Sequence, residues 1–249
     1  MRRLSASKAT LLPHCVWWLR PEHEWPYDKA GPAARIGTSV GKRAEQRLAG
    51  EDLTPFDLPP GMARQADTLW NHLSEWLDKN ARPSWRPEVA YQLQDDWTPK
   101  TLGRLTHARR YPEGGILAGT PDVVCQETRV IYDFKCTRFA PWPAYWPQLD
   151  VLGLMAFDGE PFRTELVHVT DVGVFTNPEQ RERDAFDVLQ IKHDLKMRLT
   201  MVPSSEPKPG SWCREKYCPI RTTCAAHLAI QPHVNIKDND NEIASAYHQ

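Results

Sequence analysis

Gly119-Thr-Pro-Asp-Val-Val-Cys125 and Val130-Ile-Tyr-Asp-Phe-Lys-Cys136 read as two short β-branched strands, and Gln126-Glu-Thr-Arg129 between them has the length of a hairpin loop. A four-residue loop pairs Cys125 with Val130, Val124 with Ile131 and Val123 with Tyr132, which sets Asp122 opposite Asp133. Directly opposed residues have Cβ atoms roughly 4.5 to 5.5 Å apart, and like charges there are destabilising. A cation between the two carboxylates resolves the conflict. Lys135, two residues after Asp133, falls on the same strand face, whereas Tyr132 and Phe134 fall on the other. One face carries chemistry and the other belongs to the core.

Carboxylates around a hard divalent cation, with an ammonium beside them, suit phosphodiester hydrolysis. The metal acidifies water and stabilises phosphoryl charge, and the lysine orients or neutralises. A surface hairpin with solvated charges is the plain alternative. The arrangement Pro121-Asp122, ten residues, Asp133-Phe134-Lys135 resembles the PD-(D/E)xK nuclease superfamily. That resemblance implies an α/β, restriction-endonuclease-like core with a mixed central sheet flanked by helices. It also implies Mg2+ or Mn2+ held by Asp122 and Asp133.

Near the C-terminus, Trp212-Cys213-Arg-Glu-Lys-Tyr-Cys218-Pro-Ile-Arg-Thr-Thr-Cys224 places three cysteines close together, and Cys15 lies far away near the N-terminus. One cysteine before the core and three after it resembles the iron-sulfur branch of the RecB-like nucleases, which includes the CRISPR adaptation exonuclease and the AddB nuclease domain. The resemblance implies a 4Fe-4S cluster on Cys15, Cys213, Cys218 and Cys224, in a small lobe that joins the N- and C-terminal segments. The gap between Cys213 and Cys218 is wider than the commoner family spacing. Zinc is the alternative: Cys224-Ala-Ala-His227 completes a Cys3His set within the C-terminal segment, leaving Cys15 as a small buried hydrophobe. Met1-Arg-Arg-Leu-Ser-Ala-Ser-Lys8 is not the apolar run of a signal peptide, so a disulfide framework is not expected. Cys125 and Cys136, on the paired strands, are assigned to packing.

With 249 residues, 41% apolar content and 10 tryptophans, the chain can bury one substantial α/β core. No apolar stretch approaches the roughly 20 residues of a membrane span, and a cytoplasmic location without membrane contact is expected. A net charge of -1 gives no bulk attraction for nucleic acid, so DNA binding must rest on a local patch and on metal ions. One domain over residues 1–228 is expected, with the cysteine lobe at about 1–20 and 205–228 and the catalytic core at about 85–200. The polar stretch 229–249 reads as a disordered tail.

Along the chain, helical patterns are expected over Ala6 to Leu19 and Ile36 to Leu48. Met62, Ala66, Leu69, Trp70, Leu73, Trp76 and Leu77 recur at three- and four-residue steps and define the buried stripe of an amphipathic helix. A meander of four strands follows: Glu88 to Gln94, Leu102 to Arg110, Ile116 to Cys125 and Val130 to Cys136. A helix over Tyr145 to Phe157, a strand over Leu166 to Phe175 and a helix over Glu179 to Leu199 complete the pattern. Pro203, Pro207 and Pro209 mark a linker into the cysteine segment.

Further family positions fall on residues of this chain. Glu88 opens a strand with apolar Val89, Tyr91 and Leu93, and resembles the family's additional acidic residue; a charged strand end is its bland reading. Gln148 stands where the family places the glutamine of its Q-x3-Y motif, with Leu152 in the tyrosine position. Gly37-Thr-Ser-Val-Gly41 resembles the G-T-x-x-H segment with glycine in the histidine position, and Glu45 follows one turn later. The loop Arg138-Phe-Ala-Pro-Trp-Pro-Ala-Tyr-Trp-Pro147 offers aromatic faces for stacking unpaired bases or for packing. Lys100, Arg104, His107, Arg109 and Arg110 form the candidate phosphate patch. The implied function is metal-dependent DNA cleavage on single-stranded DNA or DNA with free ends, in recombination, repair, phage replication or CRISPR adaptation, beside a recombination, helicase or CRISPR adaptation partner. The alternative is a non-catalytic DNA-end binding or assembly subunit with a structural metal cluster.

Overall fold

The hairpin forms in the expected register, with Val123 opposite Tyr132, Val124 opposite Ile131 and Cys125 opposite Val130. The structure is a computed structural model that describes residues 3–23, 31–105, 111–137, 142–177, 181–208, 210, 213, 218–220 and 223–230. In chain order the strands are β1 (Leu4–Ser5), β2 (Trp85–Pro87), β3 (Val89–Leu93), β4 (Pro99–Arg104), β5 (Leu117–Gly119), β6 (Val123–Cys125), β7 (Val130–Cys136), β8 (Phe162–Thr170), β9 (Gly173–Thr176) and β10 (Arg181–Arg183). The long helices are α1 (Pro32–Leu48), α2 (Pro60–Asn80), α3 (Trp146–Ala156) and α4 (Ala185–Thr200).

The strands group as β1-β5-β3-β4 and β10-β8-β7-β6-β2, with β9 paired to β8. Both groups share one two-stranded ribbon. Trp85 to Pro87 pair with Cys125 to Val123, and Tyr91 to Leu93 pair with Gly119 to Leu117 in the same running register. Between these stretches the ribbon bends, and there the Glu88 N–H donates to the Asp122 carbonyl at 3.1 Å. Pro121 causes part of the break, because it offers no N–H to the ladder and holds Thr120 extended. The expected meander is therefore corrected. Its third strand, Ile116 to Cys125, is two strands with a corner, and β2 was not foreseen. The Arg110 end of its second strand lies outside the described residues.

Strand β7 runs parallel to β8, and α3 is the crossover that parallel pairing requires. Leu149 through Ala156 are all buried, so α3 is enclosed rather than amphipathic. It separates the sheet from the N-terminal segment and α4. The opposite face is covered by α1 and α2, whose Ile36, Val40, Ala66, Leu69, Trp70, Leu73 and Leu77 pack with Val123, Val130 and Phe134. The result is the expected class: α/β, with a mixed sheet flanked by helices as in a restriction-endonuclease-like core.

Three expectations differ in detail. Residues Ala6–Leu11 and Trp17–Leu19 are 3-10 turns, not one helix. The strand expected at Leu166 to Phe175 is the β8–β9 hairpin, which turns at Asp171 and Val172 before Gly173 opens β9. The helix expected from Glu179 begins at Ala185, because Asp184 and Asp187 form a reciprocal capping box there. Among the described residues no helix is long and apolar enough to cross a membrane.

Candidate functional site

The bend in the ribbon brings three carboxylates to neighbouring strands. Glu88 and Asp122 flank the corner where the chain leaves one half of the sheet for the other, and Asp133 lies in the middle of β7 beside them. Alternation along β7 sends Tyr132 and Phe134 toward α1 and α2 and puts Ile131 in the other core layer, which leaves Asp133 and Lys135 on the Ile131 face. This is the division of faces read from the sequence.

Each group is held by a partner. The Asp122 carboxylate Oδ2 accepts from the Phe134 backbone N–H at 2.6 Å, so it fills a ladder position that β6 leaves open. Asp133 is 2% exposed; its Oδ1 accepts from Gln148 Nε2 at 3.2 Å. Its Oδ2 forms an ion pair with the Lys135 ammonium but has no well-angled hydrogen bond. Gln148 thus touches the site, although Leu152 in the tyrosine position is buried in the core. Burial pushes the Lys135 pKa down, but the Asp133 and Asp122 charges outweigh it, and the ammonium is held above its ordinary range. The Tyr145 ring lies 5.1 Å from Lys135 Nζ. Glu88 is buried and has φ +51, a left-handed conformation that strains any residue with a Cβ.

Glu88, Asp122 and Lys135 line a cleft of about 990 Å3 between the sheet and α1, together with Gly41, Glu45 and Arg104 among others, while Asp133 lies buried behind Lys135 and is not part of its lining. A Cβ at Gly41 would meet nothing within 4 Å, so α1 presents open space where the resemblance places histidine. Glu45, one turn on, is taken by Arg104, whose Nε and Nη2 reach Glu45 Oε1 at 2.7 Å. The same guanidinium grips both Glu51 oxygens and holds that carboxyl below the usual carboxylate range. Sequence reasoning missed Glu51, an isolated charge in a loop without a motif. It also missed that Arg104 belongs to this clamp rather than to an open phosphate patch.

Lys100 is exposed, and His107, Arg109 and Arg110 lie outside the described residues. So do 138–141 of the aromatic loop and the side chain of Trp142. Trp146 packs on the core beneath the Arg181 guanidinium, 4.2 Å from its ring, which favours the packing alternative. Cys125 is buried with its Sγ 3.4 Å from Ser84 Oγ, as expected of a packing residue. Cys136 borders the cleft, and burial beside Asp122 pushes its thiol up to about 12.

Cys15, Cys213, Cys218 and Cys224 are all free, all buried and all in one core cluster. The turn Leu11–Cys15 is pinned by Trp18 Nε1 donating to the Cys15 carbonyl and by Arg198 Nη1 donating to Leu12 O, both at 2.8 Å. Burial pushes the Cys218 thiol up to about 11, with contributions from Cys213, Cys15 and Cys224; Cys213 is raised by burial, Cys15 and Cys224. Cys15 and Cys224 are therefore near enough to Cys213 and Cys218 to oppose the ionisation of those two thiols. Residues 214–217, 221–222 and the His227 side chain lie outside the described residues. Among the described residues no three His, Cys, Asp or Glu side chains already stand in a metal-ligating cluster.

No protein-family model and no curated protein matches this chain. Among solved structures, a crystal structure of SSO0001 is similar over 89% of this chain and 95% of its own, with 15% identity and a TM-score of 0.40. A crystal structure of a phage related exonuclease from Haemophilus somnus 129PT is similar over 82% of this chain and 94% of its own, with 11% identity and a TM-score of 0.39.

Proposed function

We propose that this protein is a divalent-metal-dependent nuclease that hydrolyses phosphodiester bonds in DNA, acting on single-stranded DNA or DNA ends. The observation that carries the reading is that Glu88, Asp122 and Lys135 line an open cleft and that Lys135 is ion-paired to the buried Asp133 behind them. The donor set fits Mg2+ or Mn2+: it is all oxygen, and the buried Asp133 Oδ2 has no well-angled hydrogen bond. Such an ion would acidify a water and offset charge on the phosphoryl oxygens. The protein's own groups do the rest. Gln148 fixes the rotation of Asp133, the Phe134 N–H fixes Asp122, and the Lys135 ammonium, kept charged by both aspartates, places positive charge where the phosphate must sit.

The reading extends to a 4Fe-4S cluster on Cys15, Cys213, Cys218 and Cys224 as a staple between the chain ends, supported by four free, buried thiols within the same hydrophobic core. A cytoplasmic role in recombination, repair, phage replication or CRISPR adaptation follows from the resemblance.

Incubation with end-labelled single-stranded, duplex and covalently closed circular DNA, with Mg2+ or Mn2+ and with chelator, tests the proposal. Wild type should cleave only with metal. Asp133→Ala should abolish cleavage while the fold survives, since the Lys135 ammonium keeps Asp122 as a counter-charge. Lys135→Ala should slow cleavage on the order of 100-fold or more. Full activity in either variant refutes the assignment, and metal-dependent binding without cleavage in wild type points to the end-binding alternative.

A further inference from the structure

The cleft holds two carboxylates that the proposed metal site does not use. Glu45 and Glu51 converge on one guanidinium: Arg104 reaches Glu45 Oε1 at 2.7 Å through Nε and Nη2, and Glu51 through Nη1 and Nη2, the latter at 3.1 Å. The convergence is built into the fold. Strand β4 shifts register against β3 between Ala90 and Tyr91, and Gly103 takes φ +75, so the strand end twists before Arg104. Bulges of this kind re-aim side chains. Across the cleft, α1 brings Gly37, Gly41 and Glu45 along one face, at four-residue steps. The first two have no side chain, and the third is spent on Arg104.

We infer that Arg104 stands where a second cation would otherwise bind, so that the cleft takes one divalent ion and carries its second positive charge on a fixed side chain. Two carboxylates gripping one group in an open cleft need a positive charge between them. An arginine supplies it permanently and with planar, forked geometry. A metal would supply it only at sufficient concentration. With Gly41 offering no ligand and both glutamates engaged, α1 contributes nothing to the ion at Glu88, Asp122 and Asp133. The inference rests on the metal-site reading above and adds to it the number of ions and the residue that sets that number.

Counting bound Mn2+ by equilibrium dialysis, with the electron paramagnetic resonance signal of the free ion as a second measure, tests it without reference to cleavage. Wild type should bind one Mn2+ per chain. Arg104→Gln should bind two, the added one more weakly, and Glu45→Gln combined with Arg104→Gln should return to one. Two ions in wild type, or one in a folded Arg104→Gln protein, overturn the inference and leave the nuclease reading standing. No bound ion in wild type overturns both. If Arg104→Gln fails to fold, Glu45→Gln with Glu51→Gln decides, because that protein keeps its arginine. Its count should remain one, and a fall to zero makes the glutamates ligands and refutes the role of Arg104.

Discussion

Asp133 and Cys218 are buried to similar depth, 2% and 5% exposed, yet their surroundings are opposite. Asp133 has an ammonium and an amide within reach, so its charge is answered by the chain itself. Cys218 has apolar side chains and three other thiols, and burial drives its pKa up to about 11. A carboxylate site of this kind folds with or without a metal, because Lys135 satisfies it in the ion's absence. A thiol site stays protonated until a metal displaces the protons, and metal affinity then becomes folding energy. Losing a ligand should cost function at the first and structure at the second.

The sharpest way to break that contrast is at Cys15. If a cluster joins the chain ends, anaerobically purified protein should contain about four iron atoms per chain. Cys15→Ala should strip them and lower the melting temperature on the order of 10 °C or more, while divalent-ion binding at the carboxylates survives in the folded fraction. The Cys3His zinc alternative predicts otherwise: Cys15→Ala leaves a small cavity and keeps its zinc, and His227→Ala releases it. Metal analysis and calorimetry of the two variants separate these outcomes. A protein whose stability ignores all four cysteines would erase the contrast.

The two regions also differ in how far the sequence discloses them. The β6–β7 hairpin was legible because strand propensity, loop length and register are all local, and the facing of Asp133 and Lys135 follows from alternation alone. The corner at Glu88 was not. It depends on β2 pairing with β6 across some forty residues, and the apolar run from Ile116 to Cys125 gives no sign of changing direction except Pro121. The Arg104 clamp was hidden for a related reason, since Glu45 and Glu51 lie 59 and 53 residues from Arg104 and become its neighbours only in the folded chain. Cysteine spacing singled out four residues that the fold buries, but a bound group is not encoded in spacing.

A smaller perturbation targets the contact that joins the two regions. Gly119, at the end of β5, lies between Ala6 of the N-terminal segment and Leu152 of α3; a Cβ there would fall 2.5 Å from Ala6 Cβ and 2.7 Å from Leu152 Cδ2. Gly119→Ala should therefore overpack the seam and destabilise by ~1 to 3 kcal/mol in urea unfolding. The atoms nearest such a Cβ are those of Ala6, Leu152 and Met155 and not of any carboxylate, so cleavage per folded molecule should hold. A parallel loss of cleavage would mean that the carboxylate corner leans on the N-terminal segment and is not self-contained.

The smallest expected effect concerns the corner itself. Glu88 sits at φ +51, where an L residue is strained by roughly 1 to 2 kcal/mol and glycine is not, although glycine pays roughly 0.5 to 1 kcal/mol more entropy on folding. Glu88→Gly should therefore match or exceed wild type in stability by up to about 1 kcal/mol, and Glu88→Gln, which keeps the strained backbone, should gain less. If the carboxylate is a metal ligand, both variants lose Mn2+ affinity and cleavage together, and the strain is retained because the site needs a carboxylate at that bend. If both variants cleave and bind Mn2+ as wild type does, Glu88 is only the residue that occupies a turn, and the ion is held by Asp122 and Asp133 alone.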